Sequence, residues 1–195
     1  MSLESKIRLI TNSDDHKFYT YYFKNNSAKW NQFCAALDVI GDSELAINEF
    51  ILNGTGSGRL GKKYLNLYGI FQATYIQQDA IETLYKIVKH SFKNNKLKVF
   101  EKYKGKNWDE LRNYRNLTVG HPTKCETFEK GKTKNTFIVR STLGSGGSFQ
   151  ILICDDKQKV FKYVDIKNLI ACYLLDVEYI IADIEISLNF IKESL

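Results

Sequence analysis

Asn107 to Pro122 reads NWDELRNYRNLTVGHP, and the rest of the chain is organised around it. Asn107 or Asp109 can cap a helix start, and the acidic Asp109 and Glu110 fall near its positive N-terminal end. Leu111, Tyr114, Leu117 and Thr118 recur at three- and four-residue spacing, which makes one inward face. Arg112, Arg115 and Asn116 fall together on the adjacent face, because residues three and four apart are neighbours on a helix. Gly120 is a natural stop and Pro122 prevents continuation, so His121 stands just past the helix. Six positions along an unbroken helix would carry the imidazole well off the arginine face. The break at Gly120 is what permits an Arg115–His121 pair.

Upstream, Ser27 caps an expected helix from about Ala28 to Leu52, with Trp30, Phe33, Leu37, Ile40, Leu45, Ile47 and Phe50 among its apolar positions and Gly41 as a break. The Gly-rich NGTGSGRLGKK that follows lacks the Gly-Lys-Ser/Thr spacing of a phosphate loop and reads as a flexible connection. A long helix is expected from about Lys63 to Ser91, with Tyr64, Leu67, Tyr68, Phe71, Tyr75, Ile81, Leu84, Tyr85 and Val88 in helical period. Gln77, Gln78 and Asp79 interrupt that run, and the pattern turns at least one Gln inward. Two readings follow: an interhelix hydrogen bond, or an orienting contact from Gln78 or Asp79 to Arg115. Residues 1 to 26 carry no clear period, and their alternating aromatics fit a short strand or an irregular segment.

Lysines 93, 96, 98, 102, 104 and 106, interleaved with Phe100 and Tyr103, lead directly into the motif helix. They read either as a solvated linker or as a track for an RNA backbone. Beyond the motif, β-branched and aromatic runs cut by turn residues, TFIVRSTL, SFQILICDD and KVFKYVDI, predict a β-meander over about 136–164. Its Gly144–Gly147 tip reads as a mobile turn. Asp165 then caps a last helix to about Lys192, whose inward stripe is Ile166, Ile170, Tyr173, Val177, Ile180, Ile184, Leu188 and Ile191. The expected fold is mainly α: a helical bundle with a small antiparallel β-meander before the C-terminal helix.

At 195 residues the chain suits one domain with a real core. Its net charge of +6 permits an anionic partner without demanding one. Cys34, Cys125, Cys154 and Cys172 stand apart without a zinc pattern, which fits reduced, buried thiols in a cytoplasmic protein. No signal core and no run of about 18 uncharged apolar residues is present, so no membrane partner is expected.

The segment Arg115-Asn116-Leu-Thr-Val-Gly-His121, with LRNYRN and GHP around it and YGIFQATYIQQDAI upstream, resembles the motif of the HEPN superfamily (higher eukaryotes and prokaryotes nucleotide-binding). That motif is an Arg, four to six residues and a His, often with a polar residue after the Arg. The resemblance covers roughly residues 28 to 124 and is to members of bacterial toxin or phage-defence type. It implies a single HEPN-like domain over 1–195 and a metal-independent endoribonuclease without a cofactor. The site would be built where two protomers set their motif helices side by side. Arg115 and His121 of both chains would be catalytic, with Asn116 assisting. Arg112, Lys106, Lys124, Gln78 and Asp79 would contact RNA. An antitoxin or regulatory protein is a further implied partner.

The chemistry suits those residue types. Transesterification takes a proton from the 2′-hydroxyl, gives one to the leaving 5′ oxygen and stabilises charge on phosphorus. An imidazole titrates near neutrality, and a guanidinium keeps its charge and offers a planar fork. The alternative is a catalytically inactive RNA- or protein-binding module, with Arg115 paired to a carboxylate and His121 only capping the helix. In some HEPN toxins a partner modifies a Tyr two residues after the His. Thr123 stands there in this chain, which departs from that regulatory mode.

Overall fold

The structure, a computed structural model, describes residues 1–12, 17–91, 97, 100–104, 106–120, 135–154 and 158–193. It is mainly helical, with one small antiparallel sheet before the C-terminal helix. The helices are α1 (Leu3–Asn12), α2 (Lys17–Tyr22), α3 (Ser27–Asn53), α4 (Leu60–Ser91), α5 (Phe100–Tyr103), α6 (Lys106–Arg115) and α7 (Ile166–Lys192). The strands are β1 (Asn135–Ile138), β2 (Ser148–Cys154) and β3 (Lys159–Asp165). A π-helical turn, Asn116–Gly120, continues α6. The chain divides into two compact units, Met1–Leu45 with Ile76–Trp108 and Leu174–Leu195, and Ala46–Tyr75 with Asp109–Tyr173.

In the first unit, the N-terminal residues form helices rather than the expected strand or irregular segment. The Ser2 hydroxyl caps α1 by accepting from the Ser5 amide, Glu4 sits in the first turn, and Leu3, Ile7 and Thr11 face inward at four-residue spacing. The short α2 carries strand-favouring aromatics, yet Phe18 and Phe23 are buried against each other, and Phe23 also meets Trp30 and Phe33. Tertiary burial of rings outweighs local propensity there. The Asn26 side chain caps α3 by accepting from the Lys29 amide. Gly41 does not break α3. It leaves room for Glu4, whose carbons would lie 3.0 Å from any Cβ placed at 41.

Two assignments on α3 and α4 are corrected or decided by burial. Leu45, expected inward, is 72% exposed. The inward slot goes to Ser43, whose hydroxyl donates to the Val39 and Ile40 carbonyls. Gln77 and Gln78 are both fully buried, and the Gln78 amide donates to the Trp108 carbonyl at 3.0 Å. That is the interhelix hydrogen bond of the first reading. Trp108, itself fully buried, meets Phe100 edge-on, and Phe100 stacks on Tyr85. Asn107 spends its amide on Asp176 rather than on a helix cap.

In the second unit the sheet has the order β1-β2-β3, with Phe137 opposite Leu152 and Leu152 opposite Phe161. Thr136, Phe149, Ile151 and Val164 point inward, while Phe137, Phe161 and Tyr163 are exposed. Asp165 caps α7 as expected, accepting from the Asn168 amide at 3.1 Å. Of the inward stripe of α7, Ile166, Ile170 and Tyr173 are buried in this unit, and Val177, Ile180, Ile184, Leu188 and Ile191 are buried in the first unit.

The two Gly-rich stretches are tied together rather than loose. Thr55, fully buried, donates its hydroxyl to the Gly144 carbonyl, and the Gly56 amide donates to Ser145. Asn66 holds the Thr55 carbonyl and Lys63 the Leu143 carbonyl. Gly54 has φ +60°, and a Cβ there would fall 2.3 Å from the Ser145 oxygen, so only glycine fits.

Candidate functional site

The candidate site lies in the second unit, where α6 passes into the π-helical turn. Burial follows the spacing at three of the four expected inward positions: Leu111, Tyr114 and Thr118 are buried but Leu117 is only half-buried, and Arg112, Arg115 and Asn116 lie on the neighbouring side. Sheet and motif are in contact: β1 meets the π-helical turn, and Lys162 of β3 lies 4.9 Å over the Tyr114 ring and 3.9 Å from Glu110.

A π-helical turn closes at i→i+5 instead of i→i+4, so residues 115 and 120 become successive neighbours. The Arg115 guanidinium folds back against Gly120. A Cβ at 120 would stand 2.7 Å from Nη1 and 3.2 Å from Cζ. Gly120 therefore does more than stop a helix: its missing side chain is the space the guanidinium occupies.

Three groups fix that guanidinium. Nη1 donates to Asn116 Oδ1 at 3.1 Å, Nη2 makes a longer contact with Gln72 Oε1 at 3.4 Å, and Cζ lies 4.3 Å from the Tyr75 ring centroid. Arg112 shares the same ring at 4.9 Å. No carboxylate pairs with Arg115 among the described residues, and its buried Nε has no hydrogen-bond partner there. A guanidinium carries five N–H donors, so both terminal nitrogens keep one N–H without a protein acceptor among the described residues.

The other expected residues fall as follows. Arg112 also acts on Tyr173, whose phenol burial holds well above the usual tyrosine range while the Arg112 charge partly opposes the rise. Gln78 is corrected as a substrate contact, because it is 0% exposed and holds Trp108. Asp79 is exposed. Gln72 is the glutamine at Arg115, one that the sequence reading did not single out. His121, Lys124 and the side chain of Lys106 lie outside the described residues, as do Thr123 and Cys125. Cys34, Cys154 and Cys172 are free and half-buried rather than buried, and burial raises the Cys34 thiol. Among the described residues no group of His, Cys, Asp and Glu is placed to hold a metal ion, and no helix is long and apolar enough to cross a membrane.

Comparison with family models, curated proteins and solved structures gives no match for this chain.

Proposed function

We propose that this protein is a metal-independent endoribonuclease that cleaves single-stranded RNA by 2′-hydroxyl transesterification, in a toxin or phage-defence role. The observation that carries the reading is the state of Arg115. It is a permanent cation held in place by two neutral amides and an aromatic face, without a carboxylate among the described residues. Arginine is always charged, and because no carboxylate among the described residues occupies this one, its fork remains available to an anion. It also stands at the start of the turn that leads into His121.

In the proposed reaction one His121 imidazole takes the 2′-hydroxyl proton as the 2′ oxygen bonds to phosphorus. The P–O5′ bond breaks, and a second imidazolium gives its proton to the 5′ oxygen. Arg115 stabilises the non-bridging oxygens, and Asn116 keeps its guanidinium in register. The products are a 2′,3′-cyclic phosphate and a 5′-hydroxyl. One imidazole cannot be both acid and base in a single step. The proposal therefore includes a homodimer that sets two copies of the motif together.

The test is cleavage of single-stranded RNA by the purified chain in EDTA. Cutting should disappear in His121→Ala and Arg115→Ala while the circular dichroism spectrum persists, and light scattering should give a mass near twice 22.6 kDa. Variants that cut like wild type would overturn the site. RNA affinity without turnover would identify a binding module instead.

A further inference from the structure

Tyr64, Tyr68, Gln72 and Tyr75 stand at i, i+4, i+8 and i+11 of α4, so they make one row along its axis. Gln72 and Tyr75 are the groups that hold Arg115. At a helical rise of about 1.5 Å per residue, Tyr68 lies roughly 6 Å and Tyr64 roughly 12 Å along the axis from Gln72. That end of the row opens into a cavity of about 620 Å³ between the start of α4, the π-helical turn and β1, one of the two outer strands of the sheet. Tyr64, Tyr68, Thr118, Thr136, Phe137 and Arg140 are among its walls.

The lining has the character of a stacking site. Tyr64 and Tyr68 meet edge-on with centroids 5.7 Å apart, and Phe137 is 55% exposed although it sits on a sheet. Arg140 adds a cation beside Tyr64, where its charge and a hydrogen bond partly offset the rise that burial causes in the phenol. Thr136 is only 3% exposed, yet its hydroxyl has no hydrogen-bond partner among the described residues. That hydroxyl is enclosed rather than open to the cavity, so the aromatic faces and Arg140 carry the site. Aromatic faces combined with an arginine suit an unpaired base and its phosphate better than they suit a purely apolar ligand.

We propose that this cavity seats an unpaired nucleobase of single-stranded RNA, next to the phosphate that Arg115 holds. Tyr68 and Phe137 stack on the base and Arg140 faces its backbone. The inference rests on the ribonuclease reading for the identity of that phosphate, but it is tested by binding and does not need turnover.

The probe is a short single-stranded RNA carrying one 2-aminopurine, titrated into the His121→Ala chain. The expected result is quenching on binding, with affinity falling about tenfold in Phe137→Ala and in Tyr68→Ala and the quenching lost. The dependence of affinity on salt should not change, because no phosphate contact is removed. Arg115→Ala should do the reverse, lowering the salt slope and leaving the quenching intact. Phe137 is exposed, so its truncation leaves the core in place. If wild type cuts RNA but Phe137→Ala and Tyr68→Ala bind and quench like the parent, the base site is wrong and the nuclease stands. If quenching follows these residues but wild type never cuts, the base site stands and the nuclease falls. RNA that is neither bound nor cut overturns both.

Discussion

Gly120→Ala is the most exacting perturbation of this site, because it changes one hydrogen to a methyl whose nearest neighbours are Arg115 and Asn116. The new Cβ would lie 2.7 Å from Nη1, 3.2 Å from Cζ and 3.4 Å from Asn116 Oδ1. Ordinary contact begins at 3.4 Å, so Nη1 has to retreat by at least 0.7 Å, the difference between those two distances. The atom that moves is the end of a flexible side chain, and Gly120 is not among the glycines with positive φ, so the backbone is under little strain. Stability should therefore be unchanged or rise by up to about 1 kcal/mol, the ordinary gain from Gly to Ala in helical backbone. Activity should not be spared. A misplacement of about 1 Å at a reacting centre costs on the order of 100-fold, so a shift of this size should lower kcat/KM by roughly 10- to 100-fold. The assay pairs thermal melts with initial rates on single-stranded RNA. Gly69→Ala is the control, since a Cβ at 69 meets nothing within 4 Å on the same helix as Gln72 and Tyr75. It should raise Tm by roughly 2–4 °C with rates unchanged. If Gly120→Ala melts and cuts like wild type, the pose of Arg115 against residue 120 has no part in the chemistry.

Two further outcomes follow from burial. Gln78→Ala should lower stability by about 1–3 kcal/mol, because it removes the side-chain hydrogen bond to the Trp108 carbonyl and truncates a fully buried side chain, and a denaturant melt reads the loss. Tyr173 should give the protein an alkaline limit: its folded pKa lies well above its unfolded value near 10, so above that pH the unfolded chain releases a proton that the folded chain keeps. Stability then falls by up to about 1.4 kcal/mol per pH unit until the folded phenol titrates, and Tyr173→Phe should flatten that limb in melts between pH 9 and 11.

The sequence is legible where burial and period coincide over many turns. On α7 every position of the expected stripe from Ile166 to Ile191 is inward, because a long helix with one strongly apolar side has a single low-energy orientation. On α3 the same logic fails at one point. Leu45 falls off the true stripe and Ser43 falls on it, and a serine can satisfy its own hydroxyl against the preceding turn, so polarity alone misleads. At the N-terminus the failure is of another kind. The aromatic run of α2 has strand-like composition, and composition does not show that Tyr19 of α2 and the adjoining Phe23 pack on Trp30 and Phe33 of α3.

The candidate site divides along the same line between local and distant causes. Asn116 beside Arg115 is readable because the two are adjacent, and the pairing of Arg112 with Arg115 is readable from helical spacing. Gln72 and Tyr75 are not, since they reach Arg115 from another helix, and a periodicity count enters Tyr75 as an apolar core position when its ring in fact carries two guanidiniums. Nor does spacing reveal the π-helical turn, whose consequence is geometric. By making residues 115 and 120 neighbours, it turns Gly120 from a helix terminator into the seat of the arginine. The spacing between Arg115 and His121 is thus read most usefully as one widened turn plus one residue. Adding or deleting a residue between Arg115 and Gly120 would put a residue with a Cβ where the guanidinium needs the glycine.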